Sequence, residues 1–386
     1  MRVITWRSGT VVSHGKSWTG AQELRVDLHD AAHDPALPDH VRALAYTDVV
    51  GTPAVGDRVT LNVSALARGL GTGGYALVVA SPDALPPDPA PGPGHLVKAR
   101  YTPLQTLVLG ADEQESDHHA LLADADDLAA LPVVVADLHS AVPAVVAGAR
   151  HGAALAGRPA PRVVYVMPDG GALPVAFSRT VSALRDADWL TSCITVGQAY
   201  GGDHEAVTVH TGLLTAHLVE HADLVVLAQG PGNLGTGTRW GFSGVQAGEA
   251  LNAAGVLGGH PVASLRVSGA DARDRHRGIS HHSLTTYGRV ATSPADVPVP
   301  ARTPQTPAGA WDADLDARVR DQARALAAPH GRHRLVDVPV EPALLEALAD
   351  CPVRLSTMGR GLHEDPASFV AAAAAGVHAE QVACRR

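Results

Sequence analysis

The sequence predicts an α/β fold, a Rossmann-like, doubly wound, mostly parallel sheet, preceded by a small N-terminal β-barrel. Two patterns carry this. Short alternating segments punctuated by glycine fill residues 1–80, and Val-rich apolar runs alternate with helical stretches from 132 to about 293. Two Pro-rich stretches, 81–94 and 294–311, divide the chain.

In the first 80 residues, VITWRSGTVVSH and AQELRVDL alternate apolar and polar side chains, with Gly9, Gly15 and Gly20 supplying turns. VRALAYTDVV, GDRVTL and GLGTGGYALVVA follow. This many short strands in so few residues suits a small barrel. SPDALPPDPAPGPG, at 81–94, is too rich in Pro for a helix or a central strand and reads as a semi-rigid linker. HLVKARYTPLQTLVLG then reads as extended chain, and 115–131 as a short helix.

The main α/β domain is expected over 95–293. PVVVADL, RVVYVM, CITVGQAY, DLVVLAQ and PVASLRV are the strands, and helices are expected at 140–157, 173–187, 205–221 and 243–256. Continuous apolar runs of this kind belong to strands buried on both faces. Their alternation with helices implies right-handed βαβ units. Residues 294–311 read as a second linker. An α/β extension, 312–386, follows: a helix at 312–328, a strand RLVDV, a helix after Pro342 and an Ala-rich helix at 366–375. It is expected to pack on the main domain.

Composition excludes several classes. The chain has 386 residues, 46 % of them hydrophobic, and a net charge of −9. Its only lysines are Lys16 and Lys98, and there is no basic footprint for nucleic acid. Nothing approaches the ~18 apolar residues of a membrane span. The N-terminus has neither a signal-peptide nor a transit-peptide pattern. Cys193, Cys351 and Cys384 form no CxxC pair and suit a reducing compartment, so a cytoplasmic location is expected. A homo-oligomer is compatible with the sequence.

Candidate chemistry follows from position, because ligands of open α/β sheets bind outside the carboxyl ends of the strands. The apolar runs lead into Asp137-Leu138-His139-Ser140, Pro168-Asp169-Gly170-Gly171, Gly201-Gly202-Asp203-His204-Glu205, a loop beginning Gln229-Gly230-Pro231-Gly232, and Arg275-His276-Arg277-Gly278-Ile279-Ser280-His281-His282. Asp, Gly and Ser also make turns and caps, which accounts for one or two such exits but not for five in a row.

The glycine loop 230–244 follows a strand and opens a helix near Ser243. Backbone N–H groups there make an anion pocket, so Gly230, Gly232, Gly235, Thr236, Gly237, Thr238 and Ser243 are the expected ligand-binding residues. It is not a Walker A loop, and its GxGxxG spacing alone is weak evidence for a dinucleotide. Asp137, His139 and Asp203 offer carboxylate and imidazole ligands of the kind a divalent metal accepts. Asp169, His204 and His282 are the expected acid–base residues. Gly241-Phe242-Ser243-Gly244 falls one residue short of a nucleophile elbow.

The phrases WRSGTVV, AYTDVVGTPAVGDRVTLN, GLGTGGYALVVA, PDGGALPVAFS, GQAYGGDHEAV, QGPGNLGTGTRWGFSG and RHRGISHHSLTTYGRV together resemble a bacterial family of unknown function, over about residues 1–293. The resemblance implies the domain organisation and no mechanism. The strand-end residues set the expected function, a small-molecule hydrolase or transferase acting on a phosphorylated or anionic ligand at the C-terminal ends of the parallel strands. The alternative is a non-catalytic nucleotide-binding regulator.

Overall fold

A computed structural model describes residues 4–29, 37–328 and 331–386. The chain divides into two compact units. One comprises residues up to Pro93 with Val97–Leu107 and Ala176–Ser182; the other comprises Gly94–Leu96, Val108–Val175 and Ala183–Arg386.

The first unit is a closed five-stranded barrel of β1 (Trp6–Trp18), β2 (Ala21–Leu28), β3 (His40–Tyr46), β4 (Arg58–Asn62) and β5 (Ala76–Ala80), in the order β1-β2-β3-β5-β4. All pairs are antiparallel except β3–β5. The alternation read from the sequence is the alternation of burial, with Val11, Leu24, Val26, Val41, Val59 and Leu61 filling the interior.

The second unit is built on eight parallel strands: β6 (Pro132–Ala136), β7 (Val163–Met167), β8 (Ser192–Val196), β9 (His204–Ala206), β10 (Leu224–Ala228), β11 (His260–Ser264), β12 (Asp296–Arg302) and β13 (Arg334–Val340). Their order is β9-β8-β7-β10-β6-β11-β12-β13. From β6 the chain first moves toward β9, then returns through β10 and continues on the other side from β11 to β13. The strand order therefore reverses around β6, where α/β sheets open a crevice at their carboxyl ends. β6, β7, β8 and β10 are buried at every residue, which is why β6, β7 and β10 are unbroken apolar runs, while β8 includes the buried Ser192 and Thr195.

The helices are α1 (Val142–Leu155), α2 (Arg179–Asp186), α3 (Val209–Leu218), α4 (Gln246–Val256), α5 (Ala313–Ala327), α6 (Pro342–Ala349) and α7 (Pro366–Ala383). The last is longer than its Ala-rich core suggested. It is apolar around most of its circumference because it lies buried against α1 and the sheet.

Two expectations are corrected. Residues 294–311 are not simply a linker, since they contribute β12, which pairs with β13 along its whole length. Pro298 and Pro300 lie two apart and so withdraw N–H groups from one edge of the strand only. The other edge carries the register with β13, while pairing with β11 is confined to Val262 and Asp296. Residues 115–131 hold one helical turn, His119–Leu122, and not a longer helix. Asp127 accepts a hydrogen bond from the Ala129 N–H at 2.8 Å, and Ala129 and Ala130 adopt positive φ, which ends helical geometry there.

Among the described residues, no helix is long and apolar enough to cross a membrane.

Candidate functional site

A cavity of about 430 Å³ opens at the carboxyl ends of β6, β10 and β11, where the strand order reverses. Its walls come from four segments: Leu138–Ser140 after β6, the glycine loop after β10, Arg266 with the 273–282 segment after β11, and Ser356–Met358.

At the β6 exit the chain turns straight into α1. Asp137 is buried and, among the described residues, its Oδ2 has no hydrogen-bond partner. Burial pushes its carboxyl up to about 6, although the nearby Arg266 guanidinium opposes the shift. His139 Nδ1 lies 3.1 Å from the hydroxyl of Tyr165, which itself donates to the Ala228 carbonyl at 2.8 Å. Burial pushes His139 down to about 4, so the ring is neutral near pH 7.

At the β10 exit the buried Gln229 ties loop to sheet. Its Nε2 donates to the Asp137 carbonyl at 3.2 Å and to Asn233 Oδ1 at 3.0 Å. Asn233 Oδ1 also accepts from Ser243 Oγ and the Gly244 N–H, and Ser243 Oγ accepts from the Leu234 N–H. The segment closes as a hairpin through the Gly235–Phe242 bridge and the Thr236 N–H bonded to Gly241 O. Thr236 and Thr238 are hydrogen-bonded to each other at 3.0 Å. Gly230, Gly232, Gly235 and Gly237 line the cavity, whereas Thr236, Thr238 and Ser243 do not. Among the described residues, the N–H groups of Gly232, Asn233 and Gly235 have no protein acceptor.

At the β11 exit Arg266 lies beneath three imidazoles. Its guanidinium donates to His282 Nδ1 at 2.9 Å, which leaves the His282 proton on Nε2. Burial, with Arg266 and the neighbouring imidazoles, pushes His282 down to about 3. His276 is pushed down to about 4 by burial and then by Arg266 and Arg273, and His281 is lowered as well. The His282 ring stacks on Phe242 with centroids 3.9 Å apart. Ser280 caps the short helix His281–Thr285 by accepting from the His282 N–H. Arg273 is matched by a bidentate pair with Asp271. Among the described residues, no carboxylate lies within ion-pair distance of Arg266 or Arg275, and no acidic side chain lines the cavity.

The structure thus brings Asp137, His139, His282 and four glycines of the loop to one rim, and leaves others elsewhere. Asp169 Oδ2 accepts the Gln198 N–H at 2.8 Å and braces the turn after β8, where Gly197 has positive φ. Asp203 accepts from the Cys193 N–H at 2.8 Å and is paired with Arg185, and His204 Nε2 meets Glu220 at 2.6 Å. The segment after β8 doubles back, so Asp203 and His204 enter the edge strand β9 rather than leave a strand. β9 is four strands from β6, about 19 Å away at the usual strand spacing. Asp203 therefore cannot share a metal with Asp137 and His139.

Among the described residues, His260, Asp296 and His378 are the His/Cys/Asp/Glu group with three ligand-type atoms within 4.8 Å of one another. Arg334 already holds both oxygens of Asp296, which makes this group a salt-bridge hub at the opposite end of the sheet.

Arg266, Arg273 and the Ser356–Met358 strap were not singled out from the sequence, and His276 was named only within the run that follows the fifth strand. The one available signal was the density of Arg and His between 266 and 282.

No curated protein of similar sequence matches the chain. A family model does match, and it runs well past residue 293, where the likeness of sequence phrases had stopped. The chain belongs to the family described as "Protein of unknown function (DUF3866)", whose model spans residues 42–376.

Proposed function

We propose that the chain is a small-molecule enzyme, a hydrolase or a transferase, acting on a phosphorylated or otherwise anionic ligand in the cavity at the strand ends. One observation carries this reading: among the described residues the walls present Arg266, Arg273, Arg275 and four imidazoles, and no carboxylate. Arg273 is held by Asp271, whereas among the described residues Arg266 and Arg275 have no carboxylate within ion-pair distance. The neutral His282 adds its Nε2–H as a donor without adding charge, and the loop N–H groups add more. Such charge-assisted bonds favour an anion and disfavour a cation. The volume falls within the range of small-molecule sites. Asp137, a buried carboxyl with a pKa near neutrality beside this anion cradle, favours catalysis over mere binding.

Gly235→Val tests the loop. A Cβ at 235 meets only ordinary contacts, 3.9 Å from Gly241 O and Phe242 Cβ, so the backbone accommodates a side chain there. Titration calorimetry with inorganic phosphate is expected to show affinity about tenfold weaker, a loss of about 1.4 kcal/mol. Unchanged affinity would remove the loop from the reading.

A further inference from the structure

Behind the anion cavity lies a second, much smaller recess of about 30 Å³. The two share Leu138, Ser140, Arg266, His276, Thr357 and Met358 as walls, so they adjoin. Asp137 lines the recess and not the cavity, and Ala372 of α7 forms part of its wall. The space suits a water molecule and nothing as large as a second substrate. The walls are polar enough to hold that water, with Ser140, Ser264 and Ser268 beside Asp137. Asp137 Oδ2, buried and without a hydrogen-bond partner among the described residues, lacks the donor that a water supplies.

We infer that the site is hydrolytic and not a transferase, with Asp137 as the base that activates a water held in this recess against a phosphoester in the cavity. Asp137 Oδ2 takes a proton from the water as the water oxygen bonds to phosphorus. The bond from phosphorus to the leaving oxygen breaks, that oxygen keeps the electron pair and takes a proton from solvent, and Asp137 later returns its proton to solvent. A transferase would need room beside the base for an acceptor larger than water, and the recess has none. This inference rests on the anion-cavity reading.

The test pairs two measurements on the full chain: turnover of para-nitrophenyl phosphate with glycerol present, and calorimetric binding of inorganic phosphate. The expected products are inorganic phosphate without phosphoglycerol. Asp137→Asn removes a buried charge and is expected to stay folded. It should lose about 10²-fold or more in kcat while phosphate affinity stays within about twofold. Ala372→Val, which narrows the recess from the α7 side and leaves the Asp137 carboxyl in place, is expected to lose turnover in the same way and serves if Asp137→Asn does not fold. Phosphate binding without turnover, or with phosphoglycerol as product, or with both variants fully active, overturns the hydrolytic inference and leaves the anion site standing. Failure of the wild type to bind phosphate overturns the anion site itself.

Discussion

Asp296→Ala is expected to lower the unfolding free energy by about 3 kcal/mol at pH 7, measured by urea denaturation. Asp296 opens β12 and is buried, with Oδ2 accepting from His260 Nε2 and His378 Nε2 at 2.7 Å each. Arg334 adds bonds to both carboxylate oxygens, at 2.7 and 2.5 Å. One side chain thus fastens three strands and the interior of α7. Removing it leaves buried donors without an acceptor. Arg334 is 59 % exposed and can turn to water, which holds the loss near the lower end of the usual range. Burial alone would raise the Asp296 carboxyl, but the bonds from His260, His378 and Arg334 outweigh it and hold the carboxyl far below its ordinary range. A depressed folded pKa stabilises above the unfolded value of about 3.9 and is lost as pH falls below it. The gap between wild type and variant is therefore expected to be full at pH 7 and to narrow below about pH 4.

Gly376→Ala gives the second large effect, and its sign is the test. In an exposed helix the change would stabilise by about 1 kcal/mol. Here Gly376 of α7 faces Gly148 of α1. A Cβ at 376 would fall on the Val145 carbonyl oxygen, and one at 148 on that of Ala373. Neither obstacle is a movable side chain, so the helices must part along a buried interface. A net loss of about 2–3 kcal/mol is expected from the same denaturation measurement. A gain would mean that the two helices do not pack backbone to backbone.

The fold was legible because its signals are local. PVVVA, VVYVM and LVVLA can only be strands covered on both faces, and the barrel strands alternate as half-buried strands do. β12 was hidden because VPVP carries two prolines, and whether a proline breaks a strand depends on which edge bears the neighbour. The site was legible only in part. Asp137, His139, His282 and the glycine loop follow strands whose ends converge. The Gly201–Glu205 segment looks the same in sequence, yet it doubles back to the Cys193 N–H and enters an edge strand. Nothing local distinguishes the two cases. Arg266 went unnoticed because a single Arg after a strand is ordinary. It matters because strand order sets β11 beside β6, which places the guanidinium near Asp137 and the C-terminal strap. The threonines of the loop were expected as ligand donors, but the hairpin uses their hydroxyls itself.

The central claim is that the strand-end cavity is an anion site whose charge comes from Arg266 and Arg275. The most direct measurement is calorimetric titration of inorganic phosphate at pH 7 and low salt into the wild type and the Arg266→Met/Arg275→Met double variant, each first shown to unfold cooperatively. The account predicts binding near one per chain in the wild type, and affinity at least about 100-fold weaker in the double variant, a loss of about 2.7 kcal/mol. Equal affinity in both proteins would contradict it.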